Sequence, residues 1–195
     1  MGAQIFYRDG ALSGFKGSSF QYSNQVNIDN VSLSNLYESL EILKENIDTL
    51  DATLQQNKTV NRSVEFAANN FLQLNLASKE DYEIFKESIG KVNSALKDIG
   101  RNNIVISERN QKHPEYEMYV QKNDSTHKIY VVQDYLSYHS IFDAALFHEV
   151  THYIDTLGTT DNYDYTTFIP SYVTKEERLS NSQSWTLFYR SAFGR

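Results

Sequence analysis

Residues 147–153 read FHEVTHY and contain the pattern HExxH, in which two histidines lie four positions apart. On a helix, His148 and His152 would share one face, so both imidazoles could bind one metal ion. Glu149 follows the first histidine and could take a proton from a zinc-bound water, whose pKa zinc lowers from about 15.7 to about 7. The pattern predicts one Zn²⁺ per chain, with Glu149 as the general base.

The residues around this pattern predict a helix that begins near Ser140 and ends at Gly158. Ser140 and Asp143 have the spacing of a capping box, and glycine commonly follows the end of a helix. Apolar residues on the intervening turns would bury this helix: Ile141, Ala144, Ala145, Val150, Ile154 and Leu157. The alternative is a buried amphipathic helix whose two histidines only form hydrogen bonds.

A catalytic zinc site usually has three protein ligands and one open position, so a third ligand is required. The carboxylates that follow the histidines are Asp155, Asp161, Asp164, Glu176 and Glu177. Asp155 would lie on the same rigid helix with a side chain too short to reach the ion, so we expect it to orient an imidazole N–H. Asp161 lies beyond Gly158, where the chain can turn back and present its carboxylate.

Composition limits the classes of partner and of site. The chain has 195 residues, 40% of them hydrophobic, which suits one compact domain. Its net charge of -7 and its lack of a basic block argue against nucleic acid as a partner. No apolar run approaches the ~20 residues of a membrane span, so we expect no membrane insertion. With no cysteine, the chain has no disulfide, thiolate ligand or thiol nucleophile.

Residues 1–30 are polar and rich in Ser, Asn, Gln and Gly, which predicts a flexible N-terminal arm with at most one strand, around 20–28. The first residues lack the basic segment and apolar stretch of a Sec signal peptide. We expect cytoplasmic synthesis, and any export would use a specialised secretion route. A secretion-machine signal is the alternative interpretation of this arm.

Apolar residues recur three and four positions apart in two segments and predict two long helices. The first set is Leu33, Leu36, Leu40, Leu43, Ile47, Leu50 and Leu54, and the second is Tyr82, Phe85, Ile89, Val92, Leu96 and Ile99. A short helix is expected at 63–72, and Ser78 with Asp81 has capping-box spacing. We expect a helical layer over 31–100, with coiled-coil self-association through the first seam as the alternative.

Residue types predict strands at 103–107, 115–122 and 126–133, the last two joined as a hairpin. A strand beside a cleft can pair an extended peptide through its main chain, so Ile129 and Val131 are candidate substrate-binding residues. Thr174 and Glu177 form another capping box and predict a closing helix through Tyr189. The expected fold class is α+β, with strands and catalytic helices over 101–195.

Residues 148–152 read HEVTH and residues 158–161 read GTTD, an order that resembles the aspzincin pattern HExxH…GTxD. Aspzincins are the deuterolysin-type and peptidyl-Lys zinc endopeptidases. The resemblance covers about residues 104–190 and implies that Asp161 is the third zinc ligand. It also implies one zincin-like metallopeptidase domain over 31–195 that acts on protein or peptide substrates.

Two further stretches are similar to the family. Residues 129–132 take the place of its strand before the active helix, and residues 181–185 echo its NADxY segment. Lys-specific members carry acidic residues where this chain has Gln183 and Thr186. The resemblance therefore implies substrate binding at Gln183 without a preference for Lys.

The family has a Tyr three residues after the ligand Asp, and this chain has Asp164 at that position. Tyr163 and Tyr165 flank it, and a shift of one residue would let either one stabilise the oxyanion. HExxHxxD with a later helical Glu also resembles the anthrax lethal factor and Pro-Pro endopeptidase group, in which that Glu is the third ligand. Glu177 would then replace Asp161.

These patterns leave two classes of function. The first is a zinc-dependent metalloendopeptidase in which Glu149 activates a zinc-bound water; by analogy with injected bacterial metalloproteases, it would be a secreted or injected effector. The second is a non-catalytic zincin-like binding module that acts through its heptad helices. The intact Glu149 favours the enzyme, because a structural metal site needs no base.

Overall fold

A computed structural model describes residues 30–109, 117–162 and 168–194, and the predicted N-terminal arm lies outside them. Within these ranges, no helix is both long and apolar enough to cross a membrane. Seven α-helices and three strands occur in these ranges. Their order is α1 (Asn30–Gln55), α2 (Arg62–Leu72), α3 (Lys79–Asp98), β1 (Ile104–Ser107), β2 (Met118–Val120), β3 (Ile129–Val132), α4 (Gln133–Tyr138), α5 (Asp143–Thr151), α6 (Lys175–Leu179) and α7 (Ser182–Phe193).

The predicted helical layer is present as α1, α2 and α3. The seam of α1 packs into the same hydrophobic core as α3, α5 and α7. Its buried members are 0–5% exposed: Leu36, Leu40, Leu43, Ile47, Leu50 and Leu54. Because this chain buries the seam itself, the seam offers no surface for a coiled coil with a second copy.

The capping box that the sequence predicts at Ser78 and Asp81 does not form. Ser78 is the N-cap of α3 but makes no side-chain capping hydrogen bond. The carboxylate of Asp81 instead accepts hydrogen bonds from the Asn75 N–H (2.8 Å) and the Lys175 ammonium (2.7 Å). A longer-range ion pair to the start of α6 has therefore replaced the local cap.

The strands form one mixed sheet with the order β1-β3-β2. The hairpin prediction is confirmed, since β2 and β3 are antiparallel, and β1 runs parallel to β3. The assignment of Ile129 and Val131 to substrate binding is wrong. Both side chains are 0% exposed, and both edges of β3 already pair with neighbouring strands. A peptide could add only to an outer strand, and β2 is the outer strand that packs against α5.

Helix α5 is shorter than the sequence predicts. It begins at Asp143 without a side-chain cap from Ser140, and it ends at Thr151. The chain leaves the helix after His152 because the Ile154 N–H donates to the Lys122 carbonyl, 3.0 Å away, in the β2–β3 connection. Ile141 and Ile154, which we expected to be buried, are 61% and 67% exposed. The short helix α4 before it was not predicted.

The predicted closing helix is divided into α6 and α7 by a break at residues 180–181. The capping box of Thr174 and Glu177 is confirmed at the start of α6. At the break, Thr160 forms a parallel bridge with Asn181. The break therefore receives the chain segment that leads to Asp161.

Two buried contacts fix the start of α5 against α1 and α7. The Phe142 N–H donates to the Ser39 hydroxyl at 3.0 Å. The Asn46 amide donates to the Tyr189 hydroxyl (2.9 Å), which donates to the Asp143 carboxylate (3.2 Å). The helical layer thus sets the position of the helix that carries His148 and Glu149.

We expect Ser39→Ala to destabilise the protein by about 1–3 kcal/mol, because it leaves the buried Phe142 N–H without its acceptor. Ser34→Ala is the matched control, since Ser34 is exposed on the same helix and its replacement raises the helix propensity by the same amount. Urea unfolding of both variants measures the difference between their free energies of unfolding. Equal unfolding free energies would show that this contact does not hold α5.

Candidate metal centre

His148, His152 and Asp161 bring three ligand atoms together. One atom from each side chain lies within 4.8 Å of the other two. The His148 Nε2 is 3.2 Å from Asp161 Oδ1, and the His152 Nε2 is 3.5 Å from Asp161 Oδ2. The side chains are 1%, 13% and 6% exposed. Within the described ranges, this is the one group of three such residues placed to hold a metal ion.

The spacing of these atoms fits zinc. Zinc bonds to imidazole nitrogen and carboxylate oxygen are about 2.0–2.2 Å long, so neighbouring ligand atoms of a tetrahedral site lie roughly 3.3–3.5 Å apart. The two nitrogen–oxygen distances, 3.2 and 3.5 Å, are close to this separation and end on the two different oxygens of Asp161, while one atom from each of the three side chains lies within 4.8 Å of the other two. Two imidazoles and one carboxylate are also a donor set that zinc accepts in catalytic sites. These residues therefore fit a zinc ion with one open coordination position.

The Thr186 hydroxyl fixes the His148 imidazole. This hydroxyl donates to the Ser182 carbonyl at 2.9 Å, so toward His148 it must act as an acceptor. The His148 Nδ1, 2.9 Å away, therefore carries the proton and donates to it. The Nε2 atom faces Asp161, and in the neutral imidazole this atom carries the lone pair that binds a metal.

The Thr159 carbonyl fixes the His152 imidazole in the same way. A carbonyl only accepts, so the His152 Nδ1, 3.1 Å away, carries the proton and the Nε2 faces Asp161 with its lone pair. Burial and then the charge of His148 lower the pKa of His152 to about 4, although Asp161 opposes the shift. At neutral pH this imidazole is uncharged, as metal binding requires.

Threonine hydroxyls join helix α5 to the segment that leads to Asp161. Thr151 donates to the His148 carbonyl at 2.7 Å, so it accepts from the Thr159 hydroxyl at 2.8 Å. Both threonines are at most 1% exposed. The residue that follows the glycine turn is therefore hydrogen-bonded to the helix that carries the first histidine.

Asp161 is delivered by a turn and a short stretch of pairing. Gly158 has φ +60°, a left-handed conformation that favours glycine. The next residues pair with the break before α7: the Thr160 N–H donates to the Ser180 carbonyl (2.9 Å) and the Ser182 N–H to the Thr160 carbonyl (3.1 Å). The Ser182 hydroxyl then donates to the Asp161 carboxylate.

The carboxylate of Asp161 stays ionised in this setting. Burial alone would raise the pKa of Asp161. The hydrogen bond and charge of His148, the charge of His152 and the hydrogen bond from Ser182 outweigh burial and hold the pKa well below its usual value. An anionic carboxylate between two imidazole nitrogens is ready to receive a cation.

Glu149 lies beside the first histidine and is 3% exposed. Burial raises its pKa to about 8; the charge of His148 opposes the shift and the charge of Asp161 adds to it. A divalent cation bound nearby would favour the carboxylate form, because an opposite charge stabilises it. A buried carboxyl group with a pKa near neutrality is suited to accepting and returning a proton.

Other residues that the sequence singled out have different roles. Asp155 does orient an imidazole, but it is that of His127, 2.9 Å away, rather than a candidate ligand. Glu177 accepts a hydrogen bond from the Thr174 N–H in the capping box of α6. Gln183 is 6% exposed in the first turn of α7. Tyr163 and Tyr165 lie outside the described residues.

The sequence pattern did not indicate Ser182 and Thr186 as partners of the candidate ligands. Both side chains lie in the segment that echoes the NADxY motif, or directly after it. That segment was the available signal, because a polar cluster in an otherwise apolar closing helix needs partners once it is buried.

Comparison with known proteins gives one informative result. No family model matches the chain, and no curated protein matches it by sequence. A solved structure of a zinc peptidase from Grifola frondosa is similar, with a TM-score of 0.57 over 82% of this chain and 94% of that chain. The two sequences are 13% identical over this match. The likeness is one of fold, and it agrees with the α+β zincin-like fold that the aspzincin resemblance implied.

The choice of third ligand can be tested directly. We expect Asp161→Ala to weaken zinc binding by more than about 100-fold, because losing a ligand should exceed the 10–100-fold cost of losing an outer partner. Glu177→Ala should leave the affinity within about 2-fold, since that side chain caps α6. Titration against a chromogenic chelator measures both, and the reverse ranking would move the third ligand to Glu177.

The hydrogen bond between the Thr186 hydroxyl and His148 is tested by two substitutions of Thr186. Thr186→Val keeps the shape of the side chain but removes the acceptor for the His148 Nδ1–H, so zinc affinity should fall by about 10–100-fold. Thr186→Ser should restore most of the loss, because it restores the hydroxyl. Unchanged affinity in the valine variant would mean that this hydrogen bond does not orient the ligand.

Proposed function

We propose that this protein is a zinc-dependent metalloendopeptidase. The observation that carries the proposal is the convergence of the His148 and His152 Nε2 atoms and the Asp161 carboxylate, with the buried Glu149 next to His148 in the sequence and within electrostatic reach of Asp161. Two imidazoles and one carboxylate would leave one position of a tetrahedral zinc ion open for a water or a substrate. The fold shared with a zinc peptidase supports the same conclusion.

The chain's own residues would divide the work of hydrolysis. Glu149 would accept a proton from the attacking water and pass it to the leaving amine. A zinc ion held by the three ligands would lower the pKa of that water and polarise the scissile carbonyl. Thr186 and the Thr159 carbonyl would keep the two imidazoles in the orientation that the ligands need.

An extended peptide that adds to the sheet would use an outer strand, and the outer strand β2 packs against α5. Tyr163 or Tyr165, which follow Asp161 closely in the sequence, would donate to the oxyanion. Gln183 is uncharged, so this position gives no reason for a preference for basic residues.

The competing function is a binding module that acts through its heptad helices, and it would need the seam of α1 as an exposed surface. The seam of α1 faces the hydrophobic core of this chain. A binding module would also have no need for a buried carboxyl group with a pKa near 8 beside a candidate metal centre. The route by which the protein would reach a substrate, including secretion or injection as an effector, stays a prediction from the sequence.

Glu149→Gln should separate metal binding from catalysis. Because the amide cannot take a proton, we expect kcat/KM to fall by about 10²–10⁴-fold while zinc remains bound at one ion per chain. New peptide termini that form in a cell-derived peptide library, counted by mass spectrometry, measure the activity.

Glu176→Gln is the matched control, since Glu176 is exposed on α6 and the change in charge is the same. This variant should cleave the library as the unmodified protein does. Cleavage retained by Glu149→Gln at the control rate would contradict the role of Glu149 as the base.

A further inference from the structure

The β2–β3 connection, residues 121–128, contacts the turn at residues 153–158 that follows the second histidine. The Ile154 N–H donates to the Lys122 carbonyl at 3.0 Å. The Lys122 ammonium donates in turn to the Gly158 carbonyl at 2.6 Å. One residue of the connection thus holds both ends of the turn.

A second pair of contacts lies beside the first. The His127 Nε2 is 2.9 Å from the Asp155 carboxylate, and the His127 ring meets Tyr153 edge-on with centroids 4.7 Å apart. His127 is 6% exposed and has φ +50°, a backbone conformation that few residues other than glycine adopt. The surrounding contacts therefore hold this imidazole against the turn.

The connection does not need these two side chains for its own shape. Asp124 accepts hydrogen bonds from the Thr126 N–H (2.9 Å) and the Lys128 N–H (3.1 Å), which close the turn locally. The Lys122 and His127 side chains both point away from this local network to residues 153–158. Their contacts serve the turn that they reach.

That turn sets the position of the candidate metal centre. Gly158 is followed directly by Thr159, whose carbonyl orients His152, and Asp161 comes two residues later. Movement of the Gly158 carbonyl would therefore shift both the imidazole partner and the carboxylate ligand. A shift of a few tenths of an ångström matters, because zinc ligands tolerate about 0.2 Å.

We propose that Lys122 and His127 are positioning residues for the metal centre. They hold the turn at 153–158 so that the Thr159 carbonyl and the Asp161 carboxylate keep their contacts with the His152 imidazole. The proposal rests on the metal centre of the proposed function, but it adds a part of the chain that neither the HExxH pattern nor the GTxD pattern includes.

The test compares three lysine variants of the full chain. Lys122→Met keeps the aliphatic stem and loses the donor, Lys122→Arg keeps a donor, and Lys128→Met makes the same change in charge at an exposed position of the same connection. Zinc affinity is measured by chelator competition. In the zinc-free protein, the amide exchange rate of Thr159, whose N–H donates to the Thr151 carbonyl, is measured by NMR.

We expect Lys122→Met to weaken zinc binding by about 10–100-fold and to speed exchange at Thr159, with the melting temperature of the zinc-free form equal to that of Lys128→Met. Lys122→Arg should restore the affinity. Asp155→Ala, a change at a half-exposed side chain, should weaken zinc binding in the same direction through His127 and keeps the test open if Lys122→Met does not fold.

Each other result overturns the proposal. Affinity unchanged in both Lys122→Met and Asp155→Ala would show that the turn needs neither contact. Affinity lowered only together with a lower melting temperature of the zinc-free form would make the contacts a matter of general stability. If the unmodified protein binds no zinc, the proposed function fails first and the positioning role fails with it.

Discussion

The bridge between Thr160 and Asn181 is the contact on which the candidate metal centre depends. It draws the chain beyond the glycine turn into the break between α6 and α7, and it leaves Asp161 facing two imidazoles that arrive from another element. Helix α7 then supplies Ser182 to the carboxylate and Thr186 to the first histidine. Without this pairing, a carboxylate nine residues beyond the second histidine would have no fixed position.

Hydroxyl and carbonyl groups, rather than charged groups, orient the two imidazoles. The Thr186 hydroxyl and the Thr159 carbonyl each accept from an Nδ1–H, so both Nε2 atoms face Asp161. Asp161 holds the ionised carboxylate of the buried centre, while burial raises the pKa of Glu149 to about 8. A divalent cation would stabilise the ionised form of both carboxyl groups, which would offset part of the cost of burying them.

The sequence predicted those features that depend on local periodicity. The seam of α1, the short helix α2, the hairpin and the Thr174 cap all follow from spacing within one element, and Asp161 followed from a family resemblance. The order of the strands does not follow from spacing, and β3 was mistaken for a strand open to peptide. The run Ile129–Val132 was a usable sign of a central strand, since strands covered on both sides are apolar almost throughout. The Thr186 and Lys122 contacts join residues 38 and 36 positions apart, so only the packed chain reveals them.

A crystal structure of the zinc-loaded protein, with anomalous data at the zinc edge, tests the central claim most directly. The account predicts one zinc ion per chain, bonded to the Nε2 atoms of His148 and His152 and to an Asp161 oxygen at about 2.0–2.2 Å, with one position left to solvent. An anomalous peak elsewhere, a ligand set that includes Glu177 in place of Asp161, or no peak under saturating zinc would contradict it.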